Sequence, residues 1–183
     1  NELINLLKTS SKKFIELNHT TPLPIDNNYK TPETLGKDRI AAVVGAHYLQ
    51  PHKNALIIDA GTAVTFDILT AEDKYIGGSI SPGIQMRLKA LHSFTKKLPL
   101  VEWQKDTPTI GTDTISAIWS GVVNGLVFEI DGYIDLHKKS YPDLFTFLTG
   151  GDAFFFESKL KNSIFAVENL VLTGLNRILN YNA

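Results

Sequence analysis

Leu56-Ile57-Ile58-Asp59-Ala60-Gly61-Thr62-Ala63-Val64-Thr65-Phe66-Asp67-Ile68-Leu69 is the stretch whose reading decides the fold. The apolar, β-branched run up to Asp59 reads as a strand, and the run after the Asp-Ala-Gly-Thr turn reads as its hairpin partner. The tip is where chemistry belongs. Gly61 lets a phosphate approach the main chain, and Thr62 offers a hydroxyl and an amide as donors. Asp59, at the strand's end, adds a carboxylate suited to a cation, or to water on a cation, beside that phosphate. The same four residues also make an ordinary tight hairpin, so their neighbours decide between the two.

Before the hairpin, Ile40 to Leu49 is nearly all apolar at helical spacing and reads as a buried helix. Asp38 sits at its N-terminus, where free amides and the macrodipole favour an anion by about 0.3 to 1 kcal/mol. A plain helix cap with a neighbouring surface Arg39 accounts for the same residues. Further upstream, Leu3, Ile4, Leu6 and Leu7 fit a short amphipathic helix, and Lys13 to Asn18 alternates like an edge strand. Pro22 and Pro24 leave 20–28 as an extended connection.

After the hairpin, Lys74 to Ile80 reads as a third strand whose Gly77-Gly78 pair marks a bulge or close backbone approach. Ser81-Pro82-Gly83 reads as a turn, and Ile84 to Ser93 as a half-exposed helix. The longest periodic segment starts at Ile110-Gly111-Thr112-Asp113-Thr114, with Thr112 or Asp113 as N-cap. Gly121 and Gly125 lie one turn apart in it and suit a close helix or subunit contact, or are simply tolerated. Leu144 to Thr149 is a strongly β run ending at Gly150-Gly151-Asp152-Ala153, either a nucleotide-contacting turn or a generic strand-to-helix turn. Phe154 to Leu160 reads as helix, Ile164 to Val167 as a short strand, and Leu170 to Tyr181 as a closing amphipathic helix. Phe66, Trp119, Phe128 and Phe145 are expected in the core.

Composition narrows the function classes. The 183 residues carry a net charge of -1, 43% hydrophobic and 20% charged residues, and no cysteine. There is no basic footprint for nucleic acid and no apolar run of the roughly 18 residues that a membrane span needs. Absent cysteines exclude disulfides and thiolate metal sites and suit a reducing cytoplasm. The five histidines show no metal-ligand spacing, and neither a nucleophile elbow nor a P-loop occurs. The chain starts without Met or a signal-like segment, so it is expected to begin inside a longer gene product.

Taken in order, Tyr29 with Gly36-Lys37-Asp38-Arg39, Asp59-Ala60-Gly61-Thr62-Ala63, Thr65-Phe66-Asp67, Gly77-Gly78-Ser79-Ile80-Ser81-Pro82-Gly83, Leu98-Pro99, Gly111-Thr112-Asp113-Thr114 and Thr149-Gly150-Gly151-Asp152-Ala153 closely resemble the type III pantothenate kinases. The resemblance runs from about Tyr29 to Leu175. It implies an α/β actin-like ATPase (ribonuclease H-like) fold, two related halves around a nucleotide cleft, with the first half incomplete. On that basis residues 1–50 are expected to be a remnant of the N-terminal half carrying the substrate loop, and 51–183 the C-terminal half.

The resemblance further implies phosphorylation of pantothenate by ATP, the first step of coenzyme A synthesis, with Mg2+ and a monovalent cation, K+ or NH4+, in a cytoplasmic homodimer. It makes Asp38 the catalytic base. Arg39 pairs with the substrate, Tyr29, Gly36 and Lys37 line the pantothenate pocket, and Thr114 adds a hydroxyl to it. Asp59 holds the monovalent cation, Gly61 and Thr62 bind ATP phosphate, and Gly150 and Gly151 lie towards the adenosine. One motif departs from the family. No residue run matches the D-x-G-N-T phosphate loop that family members carry on a leading hairpin, so a chain confined to these residues is expected to bind ATP poorly and turn over slowly. Rival expectations are a regulatory relative of the Bvg accessory factor kind, and another superfamily kinase or assembly ATPase.

Overall fold

The computed structural model describes residues 2–183, in the order α1 (Glu2–Ser10), β1 (Asp26–Asn27), α2 (Lys37–Leu49), β2 (Ala55–Ala60), β3 (Ala63–Leu69), β4 (Lys74–Pro82), α3 (Ile84–Phe94), α4 (Thr114–Ser140), β5 (Phe145–Thr149), α5 (Ala153–Glu157), β6 (Phe165–Ala166) and α6 (Leu170–Tyr181). The strands form one sheet in the order β1-β4-β3-β2-β5-β6. β2, β3 and β4 make an antiparallel meander, while β5 runs parallel to β2 and β6 parallel to β5. A three-stranded meander continued by parallel strands is the arrangement expected of a ribonuclease H-like half. β1 extends the far edge, parallel to β4.

Strand alternation divides the core between the two faces of this sheet. Leu56, Ile58, Ala60, Val64 and Phe66 face α3 and α4, where they meet Leu88, Trp119, Val123 and Leu126. Ala55, Ile57, Leu69 and Tyr75 face the other way and pack with Ile40, Val43, Val44 and Leu170 of α2 and α6. Asp59 and Asp67 share the parity of Ile57 and Leu69, so both point towards the α2 side. The site is a consequence of that parity.

α4 is capped by Asp113, whose carboxylate accepts from the Ile115 and Ser116 amides in a capping box. α2 is buried from Arg39 to Ala46, as its apolar sequence predicts. It lies so close to α6 that a Cβ on Gly174 would overlap the Ala41 carbonyl, and one on Gly45 would overlap that of Leu170. The Gly pair in β4 also behaves as expected. The register slips beside Gly77, which has φ 117°.

Three expectations are corrected. Lys13 to Asn18 forms no strand, because β1 already takes the β4 edge and only Leu17 of that segment reaches the core. Ser81 and Pro82 belong to β4, paired with Val64 and Ala63, and only Gly83 turns into α3. Phe128 is 71% exposed, because the buried stripe of α4 is already filled by Leu126, Val127 and Ile130. Of the alternatives for Gly121 and Gly125, a close helix contact within the chain is absent among the described residues, which leaves a subunit contact or simple tolerance. α1 forms as predicted, although the side chain of Leu3 lies outside the described residues.

The glycines therefore separate sharply. Gly174→Ala should cost about 1 to 3 kcal/mol in urea unfolding, as overpacking does, whereas Gly121→Ala should gain about 0.5 to 1 kcal/mol. A neutral Gly174→Ala would contradict the backbone contact between α2 and α6.

Candidate active site

Three backbone turns meet at one end of the sheet. The β2–β3 tip is held from one side by Gly83, whose amide donates to the Thr62 carbonyl at 3.0 Å, and from the other by Asp152, whose amide donates to the Ala60 carbonyl at 2.9 Å. Gly150 makes the second contact possible. Its φ is 97°, a region that L side chains avoid, and a Cβ there would overlap both the Ala60 carbonyl and the Asp59 carboxylate. Gly61, whose amide donates to the Ala63 carbonyl at 3.0 Å, and exposed Thr62 thus sit on a buttressed turn. Gly151 is exposed, and a Cβ there would point into open space.

The N-terminus of α2 reaches the same end of the sheet from the Asp59 side. Asp38 is exposed and accepts the Arg39 amide at 2.9 Å, while Arg39, one residue on, turns inwards and is only 6% exposed. Its Nε donates to both Asp67 oxygens at 3.1 Å, and its Nη2 donates to Oδ1 at 2.6 Å. The Tyr75 hydroxyl donates to that same oxygen at 2.7 Å. Tyr29 stacks on Tyr75 with centroids 6.0 Å apart and lies 5.5 Å from the Arg39 guanidinium. Burial alone would lower the Arg39 pKa, but the hydrogen bond and charge of Asp67 outweigh it and hold the guanidinium firmly protonated.

Around Asp38 lies an open cavity of about 390 Å³ lined by Phe14, Ile15, Leu17, Val171 and Leu175. Lys37 borders it and also a second cavity of about 220 Å³, lined by Leu17, Leu23, Pro32, Leu35 and Ile40. The segment expected to be an edge strand instead supplies walls to the first.

Asp59, Asp38 and Asp67 crowd one region with a single arginine among them. Burial, then the negative charges of Asp38 and Asp67, raise the Asp59 carboxyl above its ordinary value. An electron-rich, partly desolvated carboxylate of this kind suits a cation. Among the described residues no three His, Asp or Glu side chains are grouped to hold a metal by themselves, so a cation there would draw its other ligands from main chain, water or a bound phosphate.

The structure thus places Gly36, Lys37, Asp38 and Arg39 at the start of α2 and Asp59, Gly61, Thr62 and Gly150 about the β2–β3 tip, whereas Tyr29 lies against Tyr75 and Gly77, towards the opposite end of β4, and meets the others only through Arg39. Thr114 stands apart. It is the first residue of α4, which packs on the opposite face from α2. Two participants that sequence reasoning missed are Asp67 and Tyr75. A carboxylate in the middle of an otherwise apolar, buried strand has to be paired, and that was the available signal.

Comparison with known proteins bears on the family. The family model described as type III pantothenate kinase matches residues 2–136. Over 169 residues the chain is 56% identical to the type III pantothenate kinase of Phocaeicola vulgatus, covering 92% of this chain and 70% of that protein. It is 57% identical over 166 residues to the Bacteroides fragilis protein of the same name, covering 91% and 68%. A solved Campylobacter jejuni structure, described as a Baf family transcriptional activator, matches with TM-score 0.64 at 26% identity, covering all of this chain and 79% of that one.

The charge crowding at Asp59 has a measurable sign. Its raised carboxyl costs stability above the unfolded value of about 3.9, and the cost is relieved as pH falls through the higher folded value. With tetramethylammonium as the only cation, Asp59→Asn should therefore raise the thermal midpoint at pH 7, and the two proteins should converge towards about pH 4. A variant less stable than the parent at pH 7 would show that Asp59 is a satisfied structural carboxylate.

Proposed function

The chain belongs to the type III pantothenate kinase family, and from that premise we propose that the cluster around Asp38 transfers the γ-phosphoryl group of ATP to the 4′-hydroxyl of pantothenate. The observation that carries this reading is that Asp59 joins an open carboxylate to a buttressed turn: the charge of Asp38 is near enough to raise the Asp59 carboxyl, and the Asp59 carboxylate lies beside Gly61 of the Gly61-Thr62 turn. Phosphoryl transfer asks for little else: an oriented hydroxyl, an acceptor for its proton and donors for the phosphates.

Asp38 accepts the proton as the pantothenate oxygen bonds to the γ-phosphorus. The bond from that phosphorus to the bridging oxygen breaks, and ADP leaves. Tyr29, Gly36, Lys37 and Arg39 orient the acceptor. The apolar lining of the cavity at Asp38 suits the gem-dimethyl group of pantothenate. Gly61 and Thr62 take ATP phosphate at the turn, with Gly150 packed behind it and Gly151 open to the nucleotide. Asp59 would hold K+ or NH4+, whose charge offsets that of the phosphates and of the carboxylate cluster, and Mg2+ would arrive on the triphosphate. Residues 1–50 carry the acceptor loop and 51–183 the phosphate-binding half. Thr114 lies across the sheet from Asp38 and would join the acceptor pocket only from a second copy of the chain, so this reading includes a homodimer, placed in the cytoplasm.

The Baf family description of the Campylobacter relative keeps a regulatory reading in view. A regulator has no need of a base, a cation-seeking carboxylate and a buttressed phosphate turn assembled together, which favours the enzyme.

The test is ADP release with and without pantothenate in K+ and Mg2+. Asp38→Asn should reduce pantothenate-dependent release by about 10²- to 10⁴-fold, the usual contribution of a general base, with ATP binding retained. Release indifferent to pantothenate, or to this substitution, would overturn the assignment.

A further inference from the structure

We propose that Asp67 and Tyr75 are positioning residues of the acceptor site: they hold two edges of Arg39 against the sheet, keep that arginine off Asp38 and Asp59, and leave its Nη1 edge for pantothenate. This rests on the functional reading above. Asp38 and Arg39 are adjacent in the first turn of α2 and so point in different directions, one to solvent and one into the sheet. A guanidinium among three carboxylates goes to whichever holds it best. Pairing with Asp38 would occupy the base, and pairing with Asp59 would occupy the cation ligand.

Asp67 wins through geometry. It takes Nε with both oxygens and Nη2 with Oδ1, so its carboxylate is engaged along its whole outer edge. Tyr75 adds a third donor to Oδ1 and fixes the carboxylate from β4. Burial, then the Asp67 charge, pushes the Tyr75 phenol far above its ordinary value, so it stays a donor throughout the working range. Tyr29 covers the arrangement from the loop after β1. The bonds to Asp67 use Nε and Nη2, and the Tyr29 side chain is also within hydrogen-bonding reach of the guanidinium.

Stability alone does not explain the pair. Buried ion pairs are often matched or bettered by apolar residues of the same volume, and here Phe66, Ile68 and Leu69 show that β3 buries apolar side chains readily. The specific gain is orientation. The arginine reaches the acceptor by one edge only, from a fixed point.

The variants are Tyr75→Phe, which removes a single oxygen from a buried ring, and Asp67→Asn, read by steady-state kinetics in both substrates and by the side-chain Nε–H NMR signal of Arg39. In Asp67→Asn the KM for pantothenate should rise about tenfold or more, with that for ATP within about twofold, and the Nε–H signal should move or be lost. Tyr75→Phe should change the same quantities in the same direction by about threefold. Equal rises in both KM values, or unchanged pantothenate KM in a variant whose Arg39 signal has moved, would overturn the proposal. If Asp67→Asn does not fold, Tyr75→Phe decides by the same criteria. Should the parent release no ADP in response to pantothenate, the functional reading fails by itself. The hold on Arg39 is then judged by the NMR signal, and a signal indifferent to both variants would refute it.

Discussion

One buried ion pair, Arg39 with Asp67, joins the first turn of α2 to the middle of β3 and sets where everything at this end of the sheet stands. Removing one partner of such a pair typically costs about 3 to 5 kcal/mol, because the other charge is left buried and alone. α2 is thereby fixed at its N-terminus by charge and along its length by the backbone contact with α6. Asp38 inherits its position from both. It sits on the outward side of a turn whose inward side cannot move.

The second constraint is the crowding of backbone at the β2–β3 tip. Gly83 from the end of β4 and Gly150 from the end of β5 press on the tip from two sides, and each donates or permits a main-chain hydrogen bond. Turns held this way cost little reorganisation when an anion arrives, which is the condition for electrostatic help to phosphoryl transfer. The neighbouring carboxylates pull in the other direction. Asp59 is partly buried near Asp38 and Asp67 with only one arginine to balance them, so the site holds unfavourable charge, which in the proposed function a cation and its phosphate partners would relieve. Local instability of this kind is what a binding site requires and what a purely structural carboxylate would avoid.

Much of this was legible in the sequence. The hairpin at Asp59 to Thr62, the buried helix after Asp38, the bulge at Gly77 and the cap at Asp113 follow from local chemistry, because each depends on residues within a few positions of one another. The failures share a cause. Lys13 to Asn18 alternates like a strand, but whether it pairs depends on β1 holding the edge. Phe128 looks apolar enough for the core, yet its fate depends on the phase of α4. Arg39 reads as a free substrate ligand until Asp67, 28 residues away, is brought beside it. Parity along β3 puts Asp67 on the face of Leu69, and a buried aspartate on such a strand demands a cationic partner, a signal that the sequence reading left unused. The face of the sheet on which Thr114 falls was out of reach, since nothing local says which side a crossover helix takes.

The central claim is that this site makes a phosphate ester on pantothenate. Its most direct test is 31P NMR of the protein incubated with Mg·ATP, K+ and pantothenate. Growth of a phosphomonoester resonance from 4′-phosphopantothenate in step with ADP is the predicted result. ADP accompanied by inorganic phosphate alone, or a spectrum of unchanged ATP with pantothenate present, would contradict it.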